Sequence, residues 1–308
     1  MAFILSTIRL LARSHAREPF EGPLLTLGRQ GIYATLDQCR EALRSEGVEP
    51  RPLPEGLDTG TNVPAFRRGA TAAFTNDQAL FHMLCGERAE TLDVSDYEDA
   101  DHIHDLNRPV PESLRGRFGL IVDGGTLEHV FDVPQALRNL KAMLRPGGRI
   151  IHINPTNSWA EHGFYQFSPT LFHDFYATNG FAMRDCLLVG YPLSGPEGLY
   201  AEKAKLWRWH PGRPSAAIAS KLLLTVYFDA VKQEEVDEHV PAQGEGSAGA
   251  ASSRLRAPEG GGDRMARLRE AAVRISPKLG GRLTLLGKKL LRRDLSSPPW
   301  GLDYLGRI

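Results

Sequence analysis

Phe118–Pro155, FGLIVDGGTLEHVFDVPQALRNLKAMLRPGGRIIHINP, narrows the possible folds more than any other stretch of the chain. Phe118–Val122 is a short apolar run that ends in Asp123-Gly124-Gly125, the pattern of a buried strand meeting a tight corner. A helix follows. Asp132 is placed to cap it and Gln135 sits where a capping-box partner belongs. Val133, Ala136, Leu137, Leu140, Met143 and Leu144 recur at helical spacing and form one apolar stripe. Pro146-Gly147-Gly148 stops the helix, and Ile150–Ile153 is a second β-branched run. Strand, helix and strand at this spacing predict a βαβ crossover between parallel strands of one sheet. Ligands of such sheets bind beyond the carboxyl ends of the strands. Asp123–Gly125 and Asn154-Pro155 therefore belong at the mouth of a site.

The same pieces carry a resemblance. Ile121-Val122-Asp123, Leu127-Glu128-His129-Val130 and Leu144-Arg145-Pro146-Gly147-Gly148, in that order, resemble the second half of a class I S-adenosylmethionine-dependent methyltransferase domain. The resemblance implies an α/β fold: a Rossmann-like, doubly wound, mostly parallel sheet with an antiparallel edge strand. It also implies S-adenosyl-L-methionine as cofactor.

Upstream, Pro23–Leu27 reads as the first strand, Gly28-Arg29-Gln30-Gly31 as a turn, and Thr35–Leu43 as a helix. A glycine turn before a helix N-terminus lets a ligand approach free backbone N–H groups. The family's turn normally carries an acid and three glycines. Here it has two glycines and no acid, and an inward Arg29 would pair with the cofactor's carboxylate. Glu46–Thr71, rich in Pro and Gly, reads as an insertion over the surface. Asp77–Cys85 is a helix with Thr75 or Asn76 as cap. Glu90–Val94 is a strand ending in Asp93, where the resemblance implies an acid that binds the cofactor's ribose. A carboxylate suits that task because it accepts two hydroxyl hydrogen bonds. Asp105-Leu106 resembles the pair in which the Asp accepts from the adenine amino group and the next N–H reaches a ring nitrogen. The cofactor set is thus Gly28, Arg29, Gln30, Asp93, Asp105, Leu106, Asp123, Gly124 and Gly125. Tyr97 is placed to lie beside the adenine or to pack on the surface. His102 and His104 share a strand face, but no nearby Cys or third His completes a ligand set, and no metal is expected.

Methyl transfer needs an aligned nucleophile and, for oxygen or nitrogen, a base for its proton. His129, Glu128 and His162 are the candidates, with His162 in the polar and aromatic loop Asn154–Gln166. Structural roles for these three stay open. Ser168-Pro169 opens a helix over Thr170–Asn179, and apolar strands follow at Phe181–Tyr191 and Lys221–Ala230. Leu199–Ala219, with Trp207 and Trp209, interrupts those last strands and is placed to wall a substrate pocket. The expected activity is methylation of oxygen or nitrogen on a small-molecule or glycan acceptor. The alternative is a methyltransferase-like domain that binds a ligand or partner without catalysis. A nicotinamide dehydrogenase is disfavoured, since no Gly-x-Gly-x-x-Gly follows the first strand.

Composition bounds the rest. At 308 residues there is room for one α/β domain of about 200–250 residues plus extensions. Thirty-seven basic residues balance 37 acidic ones, so no global field draws the chain to nucleic acid or membrane. Cys39, Cys85 and Cys186 form no metal-binding pair and suit a reducing, cytoplasmic setting. Residues 1–22 read as an amphipathic segment, 23–240 as the domain, and 241–263 as a disordered linker. Residues 264–308 read as a basic amphipathic tail with ten basic and two acidic residues over Arg264–Asp294. Such a tail suits an anionic membrane at the inner surface, RNA, or docking on its own domain.

Overall fold

The computed structural model describes residues 2–63, 73–96, 98–191, 204–213, 222–244 and 302–308. Tyr97, the linker expected over 241–263 beyond residue 244, the basic run Arg264–Asp294 and part of each insertion lie outside the described residues.

The chain runs β1 (Ala2–Phe3), α1 (Leu5–Arg17), β2 (Leu24–Leu27), β3 (Gly31–Ile32), α2 (Leu36–Ser45), α3 (Asp77–Cys85), β4 (Ala89–Asp93) and β5 (His102–Ile103). It continues with β6 (Phe118–Asp123), α4 (Val133–Met143), β7 (Leu144–Asn157), α5 (Pro169–Thr178), β8 (Phe181–Tyr191), β9 (Lys205–Trp209), β10 (Leu223–Lys232) and β11 (Leu302–Arg307). One mixed sheet has the order β11-β9-β8-β10-β7-β6-β2-β4-β5. Its core, β7-β6-β2-β4-β5, is parallel. Beyond β7 each pairing is antiparallel, so four strands complete that edge. The Rossmann-like α/β class implied by the resemblance is the fold observed.

Both faces of the parallel core are covered, so β6 is buried along its whole length. Successive strand residues point to opposite faces. Leu24, Leu120, Val122 and Ile151 meet Ile8, Leu11, Leu43 and Phe81 on the side of α1, α2 and α3. Leu25, Ile121 and Ile150 meet Leu137, Leu140 and Phe172 on the side of α4 and α5. The helices begin where their caps dictate. Asp132 accepts from the Gln135 N–H at 3.1 Å, Asn76 from Ala79 at 2.9 Å and Ser168 from Thr170 at 3.2 Å. Only half of the capping box expected at Asp132 forms, because the Gln135 side chain reaches forward to Asn139.

Two local expectations change. Pro146-Gly147-Gly148 does not stop α4: the helix ends at Met143, the backbone is extended from Leu144, and β7 runs straight through the Pro-Gly-Gly with Gly147 at φ +78°. Thr35–Leu43 does not rise from the Gly28–Gly31 turn, since β3 pairs with β1 first and α2 then leads away. The crossover from β2 to β4 therefore uses α2 and α3, and the helix start beside the turn is that of α3.

Candidate active site

Strands β2, β4 and β6 end side by side, and a cavity of about 380 Å³ opens past their carboxyl ends. Gly28, Arg29, Asp93, Asp105, Leu106, Gly125 and His129 line it, with His104, Thr126 and Val130. This volume lies in the usual range for a small-molecule site, about 300–1,000 Å³. Larger clefts of about 590 and 510 Å³ lie along α4, away from the strand ends. Neither contains a residue expected to act on the cofactor, so the smaller cavity is the candidate site.

Gly28 has φ +68°, a conformation that glycine adopts without strain. A Cβ there would sit 3.4 Å from Asp93 Oδ2, so the missing side chain leaves that carboxylate oxygen facing the turn. The turn is closed differently from the expected cradle of free N–H groups. Gly28 N–H donates to the Leu92 carbonyl at 2.8 Å, and Gln30 N–H donates to Asp77 Oδ2 at 2.9 Å. Asp77, wholly buried at the first position of α3, also takes Arg29 through Nη2 at 2.7 Å and Nε at 3.0 Å. Arg29 thus reaches the cavity wall already paired with Asp77. Gln30 is buried below the turn, where its amide donates to the Leu27 and Gly28 carbonyls at 2.8 and 3.1 Å.

Asp93 and Asp105 project from the opposite wall. Asp93 Oδ1 accepts from Ser95 N–H at 3.0 Å. Asp105 Oδ1 accepts from the Asn107 N–H at 2.9 Å and its amide at 2.7 Å, and these bonds hold the carboxyl below its ordinary range. Leu106 is buried beside them and gives the wall an apolar floor.

Asp123 and Gly124 were expected at the mouth, but both are buried beneath it. Asp123 is a structural hub. Its Oδ1 accepts from the N–H groups of Thr126 at 2.9 Å, Gly125 at 3.2 Å and Leu127 at 3.3 Å, which shapes the corner. Its Oδ2 takes His152 Nδ1 at 2.8 Å and Asn154 Nδ2 at 2.9 Å. Burial would raise this carboxyl, but the bonds from His152, Thr126 and Asn154 outweigh burial and lower it. A Cβ on Gly124 would collide with Gln30 Oε1, so the glycine is required by close approach.

The three candidate catalytic residues do come together. Glu128 and His129 lie on a tight 3-10 turn after β6, and His162 on the loop after β7. Phe164 N–H donates to the Glu128 carbonyl at 2.7 Å and pins the loop to the turn. Gly163, at φ +75°, allows this, because a Cβ there would lie 2.7 Å from the same carbonyl. His162 Nε2 stands 3.5 Å from Glu128 Oε1, and the His129 and His162 rings are 5.2 Å apart. Glu128 is wholly buried; its Oε2 accepts from Asn154 Nδ2 at 3.0 Å. Burial lowers the His129 imidazole below its ordinary value; the Glu128 charge opposes this and His162 adds to it. His129 alone of the three also lines the cavity, so the cluster opens onto it.

Sequence reasoning placed Asn154 at the mouth but missed Asp77 and Thr126, whose hydroxyl ties the corner to the Leu27 carbonyl at 2.6 Å. Their roles depend on long-range contacts that no local pattern announces. Trp207, expected near a substrate wall, is instead wholly buried in β9.

No described helix is long and apolar enough to cross a membrane. No curated protein matches the chain in sequence. Solved structures similar to it include Burkholderia thailandensis 1,6-didemethyltoxoflavin-N1-methyltransferase, at 12% identity and TM-score 0.37, covering 74% of this chain and 80% of that one. A possible histamine N-methyltransferase from Thermotoga maritima is similar at 14% identity and TM-score 0.33, covering 73% and 89%. The Haloferax volcanii putative methyltransferase in complex with the Trm112 activator is similar at 13% identity and TM-score 0.38, covering 73% and 91%. The model of a methyltransferase domain family matches residues 35–213, more than half of the chain. The chain belongs to this family of class I S-adenosylmethionine-dependent methyltransferases.

Proposed function

We propose that the chain transfers a methyl group from S-adenosylmethionine to an oxygen or nitrogen of a small-molecule or glycan acceptor. One observation carries the reading: the cavity at the strand ends gathers Gly28, Asp93 and Asp105 on one side and shares His129 with a cluster of proton-accepting groups on the other.

The residues fit the cofactor. Asp93 and Asp105 offer carboxylate oxygens to hydroxyl and amino donors, and the space above Gly28 lets a ligand approach Asp93. Leu106 and Val130 supply apolar contact for a ring. The cofactor supplies an activated methyl carbon: the acceptor's lone pair bonds to it while the carbon–sulfur bond breaks, leaving the electron pair on sulfur in S-adenosylhomocysteine. The protein's tasks are to hold the acceptor in line and to receive its proton. Glu128, His129 and His162 stand where that proton leaves, and removal by a positioned group is worth about 10²–10⁴-fold in rate. Beside them the exposed rings of Phe131 and Phe164 meet edge to face at 5.6 Å, a surface that suits the flat side of a sugar or an aromatic acceptor.

The test is label transfer. Protein incubated with methyl-labelled S-adenosylmethionine and a panel of hydroxylated and amino acceptors should give a labelled product and an equal amount of S-adenosylhomocysteine. His129→Gln should slow turnover about 100-fold or more with little change in cofactor affinity. Cofactor binding without label transfer to any hydroxyl or amine in the panel, sugars included, would contradict the reading.

A further inference from the structure

Glu128 presents an electrostatic deficit. Its carboxylate is wholly buried; Asn154 satisfies one oxygen, while Oε1 has no hydrogen-bond partner. His162 Nε2, also buried, has none either, and the two atoms face each other at 3.5 Å. A buried charge with an unpaired oxygen is expensive unless a cation meets it. A third donor atom, from His129, lies within 4.8 Å of both.

We propose that Glu128, His129 and His162 hold a divalent cation of the zinc class at the acceptor end of the cavity. The inference rests on the methyl-transfer reading and specifies how the acceptor is activated. The donor set, two imidazoles and one carboxylate, is that of a catalytic zinc site with one position open. The spacing agrees. Bonds of about 2.0–2.2 Å in a tetrahedron place neighbouring ligand atoms about 3.3–3.6 Å apart. The Glu128–His162 separation of 3.5 Å already matches such an edge. His129 completes the triangle by a shift of at most about 1.3 Å, the excess of its 4.8 Å limit over that edge, and the residue is exposed. The support is rigid. Asn154 orients the carboxylate and is itself bonded to Asp123, while the Phe164 N–H and the bare Gly163 hold the two loops together.

His129 lines the cavity, so an open fourth position would give onto the space where the methyl group would arrive. A hydroxyl oxygen bound there gives up its proton to solvent water more readily, because the cation stabilises the alkoxide or phenoxide. The oxygen lone pair then forms the new O–CH3 bond. The acceptor class is therefore an alcohol or phenol; with the cation bound the imidazoles are ligands, and the cation and solvent water take over the proton removal otherwise assigned to them.

Tag-free protein stripped with a chelator and titrated with Co²⁺ tests this. The expected result is one saturable site with the strong visible absorption of tetrahedral cobalt, bleached by Zn²⁺. Glu128→Gln, His129→Gln and His162→Gln should each weaken binding by more than the about 10–100-fold that loss of a supporting partner costs, and His82→Gln on α3 should leave it unchanged. No saturable cobalt binding up to millimolar concentration, in folded protein that still binds S-adenosylhomocysteine, would overturn the metal site and leave methyl transfer standing. So would wild-type cobalt affinity in both histidine variants. Failure to bind S-adenosylhomocysteine would overturn the reading on which the metal site rests.

Discussion

Asp123 illustrates how one residue sets the geometry of a whole mouth. It accepts from three successive corner amides and from His152 and Asn154. Asp123→Ala would orphan all of these buried donors and should cost about 3–5 kcal/mol in urea unfolding. Its carboxyl is lowered in the fold relative to the unfolded value of about 3.9, so its stabilisation is complete above that pH and fades as pH falls through the lower folded value. Stability measured between pH 6 and pH 2 should fall less steeply in the variant than in wild type. Burial raises the thiols of Cys39 and Cys85, to about 12 and about 11, and also raises that of Cys186. Native protein at pH 8 should therefore leave all three unreactive towards a disulfide reagent until denaturant is added. At this scale the sequence was partly legible. Gly28, Asp93 and Asp105 could be placed at the cavity because each closes or follows a strand. Asp123, Gly124 and Gln30 could not, because local sequence does not reveal whether a strand-end side chain turns inward or out.

Among the elements, the loop after β7 decides whether the cluster exists. Gly163→Ala would force a Cβ against the Glu128 carbonyl and strain a left-handed residue by about 1–2 kcal/mol. It should displace His162 and lower kcat while leaving S-adenosylhomocysteine affinity near wild type. The strand β11 closes the other end of the sheet. It pairs antiparallel with β9, buries Leu302 and Ile308, and ties Asp303 to His210 at 2.6 Å. Removing residues 302–308 uncovers the β9 edge and loses two buried aliphatic side chains worth about 1.5–3 kcal/mol each. The truncated protein should melt earlier and self-associate in light scattering. The helices were legible from caps and apolar stripes, which act within a few residues. The β1–β3 pair was not, since two residues on each side carry no periodicity.

For the whole molecule, the ends of the parallel core strands position the cavity. The βαβ unit of β6, α4 and β7 could be read directly, and with it the fold class. The path from β2 to β4 could not, because Arg29 and Gln30 commit to Asp77, 47 residues downstream of Gln30, and no local signal links them. That pairing fills the place where free amides were expected, so in the proposed function cofactor recognition falls to Asp93, Asp105 and the space over Gly28. The most direct test of the account is calorimetric titration with S-adenosylhomocysteine of wild-type protein beside Asp93→Ala and Asp105→Ala. The account predicts saturable one-to-one binding in wild type, weakened at least about tenfold in each variant, since a lost charged hydrogen bond costs about 1.5–3 kcal/mol. Folded wild-type protein that shows no heat at millimolar ligand, or variants that bind as wild type does, would contradict it.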